Sequence, residues 1–227
     1  MSRSDDPGVI EIQTPGGAQP VDIGQRIVPS TAPVLPLRET VPLPDTLTPL
    51  AVGQERSVQL INDVLAGNRL IVMVASKDPE QEAPGPGALY EVGVIGAIAR
   101  MMKVPDGSLR ILVQGAQRVH IDNWVRETPY LVAEVSEMPD VVRQSSELTA
   151  LVRNVQATFS QIVEQLPYLP EELRIAVSNL DDPVALSHLI AGSLRLKLEE
   201  KQALLEEVDV AKRLRLLVDH LAKELEV

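Results

Sequence analysis

The chain has 227 residues, 44% of them apolar but only 2% aromatic, so any core must be aliphatic around Phe159 and Trp124 as isolated large rings. Its formal charge of -11 comes from an acidic excess in both halves, which leaves no basic stripe for phosphate contacts and argues against nucleic acid as a partner. It has no cysteine, which excludes disulfides, thiolate metal sites and a cysteine nucleophile.

Residues 1–33 are rich in Pro, Gly, Ser, Thr and Gln and read as a flexible leader without sustained periodicity. They lack the basic-then-apolar order of a signal peptide. No run in the chain approaches the ~18 apolar residues of a membrane span, so a soluble cytoplasmic protein with no membrane partner is expected. VLPLRETVPLP (34–44) is strand-like but holds Pro36, Pro42 and Pro44. Proline gives a sheet no amide hydrogen, so this segment should begin a domain or lie on its rim. GQERSVQLINDVLAG (53–67) predicts a helix with Val58, Ile61 and Leu65 as its stripe and Gly67 as its stop.

RLIVMVA (69–75) has the length and composition of a buried strand. EVGVIGAIARMM (91–102) alternates, which would place Val92, Val94, Ile98 and Met102 on one face. After a turn at Pro105-Asp106-Gly107, LRILVQGAQRVHI (109–121) puts Ile111, Val113, Val119 and Ile121 on one face. Two period-two runs joined in this way predict a hairpin. Gly93, Gly96 and Gly115 inside it predict bulges or close backbone approach. YLVAEVSEM (130–138) predicts a further strand.

Beyond Pro139 the period becomes helical. SSELTALVRNVQATFSQIVEQL (145–166) carries Leu148, Leu151, Val152, Val155, Phe159, Ile162, Val163 and Leu166 as an amphipathic stripe. Pro170-Glu171-Glu172 opens a second helix over 171–180, and Asp182-Pro183 caps a third. In the last stretch, Leu204, Val208, Ala211, Leu214, Val218, Leu221 and Leu225 follow steps of three and four. It reads as one long helix, or two parted near Asp209. Its apolar seam reaches the last residues with no C-cap glycine, as a helix would that continues further.

The chain offers little chemistry. It has no Gly-Lys dipeptide, hence no phosphate-binding P-loop. His120, His188 and His220 lie far apart with no metal-ligand spacing, and no Gly-x-Ser-x-Gly elbow accompanies them. Gly93 and Gly96 lack the third glycine and the following helix of a dinucleotide fingerprint. The acidic pairs Glu171-Glu172, Glu199-Glu200 and Glu206-Glu207 fit solvated helix faces. No catalytic, cofactor-binding or metal residue is therefore assigned.

The order VLPLRETVPLP, LYEVGVIGAI (89–98), KVPDGSLRILVQGAQRVHI (103–121) and PYLVAEV (129–135), followed by EKQALLEEVDVAKRLRLLVDHLAKELEV (200–227), resembles the N-terminal region of Lon proteases. Leu43-Pro44 stands where relatives often carry Phe-Pro. The resemblance implies an α+β chain: a PUA-like β-barrel domain over 34–140, then an all-α helical bundle over 141–227 ending in a long, coiled-coil-like helix. In such enzymes this region precedes an ATPase module and a serine-lysine peptidase, and the full-length protein works as a homohexamer using ATP and magnesium. It helps to recognise unfolded or damaged proteins.

Binding such clients needs exposed apolar surface. Met101 and Met102 are the first candidates, because adjacent strand residues point to opposite faces and methionine adapts to varied partners. Leu43, Pro44 and Tyr90 follow. Two other readings are a stand-alone adaptor of the same domain type and an RNA-binding PUA-like module, the latter opposed by the charge.

Overall fold

The computed structural model describes Val9–Ile10 and residues 28–226, in two compact units, one running to Glu137 and one starting at Met138. Apart from residues 9–10 and 28–33, the expected leader lies outside the described residues.

Among the described residues the first unit is a seven-stranded mixed sheet with one α-helix and a short 3-10 turn at Pro86–Ala88. Its strands are β1 (Val9–Ile10), β2 (Thr31–Leu37), β3 (Leu47–Val52), β4 (Leu70–Ala75), β5 (Val92–Lys103), β6 (Leu109–Arg126) and β7 (Val132–Glu137); α1 (Glu55–Ala66) lies between β3 and β4. The pairings run from β5 through β4, β2, β7 and β6 and return to β5, so five strands form a closed circuit. All six residues of β4 are buried, which is why its sequence is apolar without alternation. Val34, Val72, Val74, Ile95, Val119, Leu131 and Ala133 meet inside the circuit.

The hairpin forms as its sequence predicts. Val104 donates to the Ser108 carbonyl at 2.9 Å and Gly107 to the Val104 carbonyl at 3.0 Å. Gly107 takes φ +90°, a conformation that is strained for other residues. Asp106 closes the turn by accepting from the Ser108 amide at 2.9 Å and from its hydroxyl at 2.6 Å.

Four expectations change. The proline-bearing strand is not on the rim, because β2 lies between β4 and β7. It pairs with β7 over Thr31, Ala32 and Pro33 and with β4 over Val34 to Leu37. Each half thus has one paired side, which tolerates Pro33 and Pro36. The strand also begins inside the segment read as leader. A bulge between Ile98 and Arg100 inserts one residue opposite Val113 and Leu112. That slip reverses the alternation, so Met101 and not Met102 joins the interior. The buried stripe of α1 is Leu60, Ile61 and Val64, one register round from the Val58, Ile61 and Leu65 set. Finally, β3 was not foreseen, and among the described residues it pairs on one side only, to β6.

The second unit is all helical: α2 (Ser146–Gln165), α3 (Glu171–Ser178), α4 (Pro183–Ser193), α5 (Leu198–Glu206) and α6 (Val210–Leu225). The starts follow their caps. Ser145 accepts from the Leu148 amide, Asp182 from Val184 and Asp209 from Lys212. Leu148, Val152, Val155, Phe159, Ile162 and Val163 bury the face of α2.

The terminal seam forms two helices, parted at Asp209. Val208 and Val210 instead bond the backbone of Val141, at 2.8 and 3.1 Å, so the chain must be extended there. Behind this break Arg213, 1% exposed, donates Nε to the Ser187 hydroxyl at 2.9 Å. Its Nη1 donates to Asp140 at 2.9 Å and to the Glu207 carbonyl at 2.6 Å.

Candidate functional site

The residues expected to meet a client do not form one patch. Leu43, at 4% exposure, and Pro44 are buried. The turn that holds them is fastened to β6, because Asp45 donates to the Gly115 carbonyl at 3.2 Å and Gly115 donates to the Thr46 carbonyl at 2.9 Å. A Cβ on Gly115 would lie 2.5 Å from the Leu43 carbonyl oxygen, so only glycine allows this approach. Met101 is buried at 5% exposure.

Met102 and Tyr90 are half-buried. Tyr90 donates its amide to the Ala75 carbonyl at 3.1 Å and carries Lys77 Nζ 5.8 Å from its ring centre. It precedes β5, whereas Met102 lies near the far end of that strand. The two are therefore about 40 Å apart along the extended chain, at roughly 3.3 Å per residue. Leu47 at 56% and Val125 at 51% are the large apolar side chains most exposed in this unit. Leu47 went unnoticed because β3 itself did. Arg100 was the missed signal for the methionines: a charge at an expected inward position marks the slip in register.

A cleft of about 630 Å³ opens between the end of β2, β3 and the start of α1. Leu37, Leu50 and Val52 contribute apolar wall, and Arg38, Glu39 and Arg56 line it as well. Arg38 donates to the Pro79 carbonyl at 2.8 Å and Arg56 to the Pro84 carbonyl at 2.9 Å, so both cations fasten the loop before β5. The cleft has amphipathic walls suited to binding, with no histidine or serine–base pair among the residues that line it.

One cluster elsewhere has catalytic residue types in a different order. His120 Nδ1 lies 2.8 Å from Asp122, and the Ser136 hydroxyl donates to the same carboxylate oxygen at 3.0 Å. The carboxylate stands between ring and hydroxyl, so it organises both and nothing activates the serine. The His120 hydrogen bond, aided by Ser136, holds the Asp122 carboxyl below its ordinary range. Burial pushes the Tyr130 phenol up, and its 2.8 Å bond to Asp63 adds to this. Burial alone lowers the Lys201 ammonium.

The two closely spaced glycines of β5 do not form a phosphate cradle. Gly93 and Gly96 lie inside β5, where a Cβ would meet the Met73 carbonyl oxygen at 2.2 Å and the Gln114 carbonyl oxygen at 2.6 Å. A phosphate cradle needs amide hydrogens turned outward at a helix start, whereas these positions press against acceptors. Among the described residues no group of three or more His, Cys, Asp or Glu could hold a metal ion. Nor is any helix among them long and apolar enough to cross a membrane.

A family model described as the ATP-dependent protease La (LON) substrate-binding domain matches residues 31–223, which span both units. The chain is 38% identical over 200 residues to a Lon protease of Dictyoglomus thermophilum, covering 88% of this chain and 25% of that protein. It is 40% identical over 199 residues to a Lon protease of Koribacter versatilis, covering 87% and 24%. The chain thus spans about a quarter of the length of these curated relatives. Among solved structures, the N-terminal domain of a Mycobacterium avium complex Lon protease superposes with a TM-score of 0.69 at 25% identity, over 85% of this chain and 98% of that one. A Lon N-terminal domain protein from Xanthomonas campestris shares the fold, with a TM-score of 0.60 at 21% identity over 83% and 97%.

Proposed function

The chain belongs to the family of Lon substrate-binding domains, and from that premise we propose that it recognises unfolded or damaged proteins and passes them to the ATPase and peptidase domains of a Lon protease. The carrying observation is the family match over residues 31–223, which takes in both units. In this reading ATP, magnesium and peptide hydrolysis belong to other parts of a cytoplasmic, homohexameric enzyme. The closed strand circuit is a PUA-like barrel that frames the binding surface. The helical unit leads, through α6, toward a coiled-coil segment that joins the ATPase.

Client contact falls to half-buried Met102 and Tyr90 and to exposed Leu47. Leu43, Pro44 and Met101, being buried, belong to the frame that carries these separate contacts. Each anchored apolar side chain contributes roughly 1.5–3 kcal/mol at full burial. After ordering costs, two or three anchors give weak binding. Weak sites suit a recruiting module, because a ring presents several copies and avidity multiplies them.

The test is binding of the chain to one protein in its denatured and native forms. Preference for the denatured form is expected. Met102→Ser should weaken that binding about fivefold, as the loss of a ~1 kcal/mol contact implies. Equal binding to both forms overturns the reading.

A further inference from the structure

β5 outruns its neighbour. β4 pairs with it only from Met73 opposite Val94 to Leu70 opposite Ala97, and the Arg69 carbonyl takes one more bond, from the Ile98 amide at 3.0 Å. Beyond that point, residues 100–103 keep β6 on one side, with Arg100 opposite Leu112 and Lys103 opposite Leu109. Their other side lies beyond the reach of β4 and presents main-chain donors and acceptors to which an extended chain of matching chemistry can add. In this structure the edge is taken by the chain's own β1, antiparallel, Val9 opposite Met102 and Ile10 opposite Met101.

Charge favours this occupant. Arg100, Lys103 and Arg110, all exposed, lie along the edge and on the strand beside it. The sequence around Val9-Ile10 carries Asp5, Asp6 and Glu11.

We propose that the edge of β5 at residues 100–103 is a strand-addition site for extended apolar segments with acidic flanks, and that Val9–Ile10 is a built-in competitor occupying it. The proposal rests on the client-recognition reading and names the site and the peptide chemistry. Main-chain hydrogen bonds supply binding without regard to sequence, as recognition of varied unfolded chains requires. The half-buried Met102 and the basic side chains then favour Val/Ile-rich segments beside Asp or Glu. A strand of only two residues is an exchangeable plug: it lowers the apparent affinity of a client by the fraction of time the edge is free.

The test uses the full chain and a Val9→Pro/Ile10→Pro variant, in which the competing strand loses its amide donors. Both are titrated with a labelled synthetic peptide, SDDPGVIEIQ (residues 4–13), and with denatured and native forms of one protein. The variant should bind the peptide roughly threefold to tenfold more tightly, as an edge free for a third to a tenth of the time implies. Adding Arg100→Glu/Lys103→Glu should abolish that gain. Equal peptide binding by chain and variant, or a gain that survives the charge reversal, overturns the proposal. If that happens while the chain still prefers denatured protein, recognition stands and its surface lies elsewhere. If the preference for denatured protein is also missing, the recognition reading fails with it.

Discussion

The strand unit and the helical unit draw on the same aliphatic residues but assign their roles differently. In the strand unit a residue's part is set by partners far along the chain: Gly93 is glycine because Met73 lies across from it, and Gly115 because Leu43 does. In the helical unit most parts are set three or four residues away, by stripes such as Val155-Phe159-Ile162 and by the side-chain caps of α2, α4 and α6. Exceptions are the Val141 backbone, bonded to Val208 and Val210, and Arg213, which joins α6 to Ser187 of α4 and to Asp140 before α2. One unit depends on many close non-local approaches and the other on local pattern plus a few long-range ties, the buried Arg213 among them.

The sharpest way to break that contrast is Gly93→Ala. Its Cβ would sit 2.2 Å from a backbone carbonyl oxygen, so two paired strands must part, at a cost of about 3 kcal/mol or more. The denaturation midpoint read by Trp124, the chain's one tryptophan, should fall accordingly. An unchanged midpoint would mean that close approach does not organise the sheet.

Next in size is Asp140→Ala in the helical unit, which removes the ion pair from an almost fully buried guanidinium. A loss of roughly 2–4 kcal/mol, seen as an earlier helical transition by far-ultraviolet circular dichroism, is expected. Adding Arg213→Met should restore part of it, since no buried charge then lacks its partner. No recovery would place the value of Asp140 elsewhere.

The smallest effect is at Asp122. Its carboxyl is held below the ordinary value, first by His120 and then by Ser136. A depressed folded value makes its contribution present above the unfolded pKa, about 3.9, and lost as pH falls through the folded value. Asp122→Asn should therefore lower the unfolding midpoint slightly near pH 5 and leave it unchanged well below that folded value. A constant difference across that range would deny the linkage.

These effects follow what could be read beforehand. The hairpin turn, the strand length of β4 and the starts of α3 and α4 were visible because glycine, proline and Asp182 impose their geometry locally, and α2 was visible from its apolar stripe. The burial of Met101 was not, since one bulged residue reverses every side chain after it. Nor was the place of β2 between two neighbours, because its prolines exclude a strand paired on both sides throughout and leave open one that changes partner midway. The candidate site was less legible than the fold. Of the five residues chosen for exposure, Leu43, Pro44 and Met101 are buried, and Leu47 was missed with its strand.

By itself the sequence settled the α+β order, an aliphatic core, the absence of a P-loop and the family. Each of these is written in neighbouring residues or in motifs of fixed spacing. Tertiary structure alone decided which faces are buried, where the last seam divides, and that Val9–Ile10 occupies the free edge of β5. The reason is physical: strand register and edge pairing depend on segments that meet only after the chain has closed, and no local preference encodes which segment arrives.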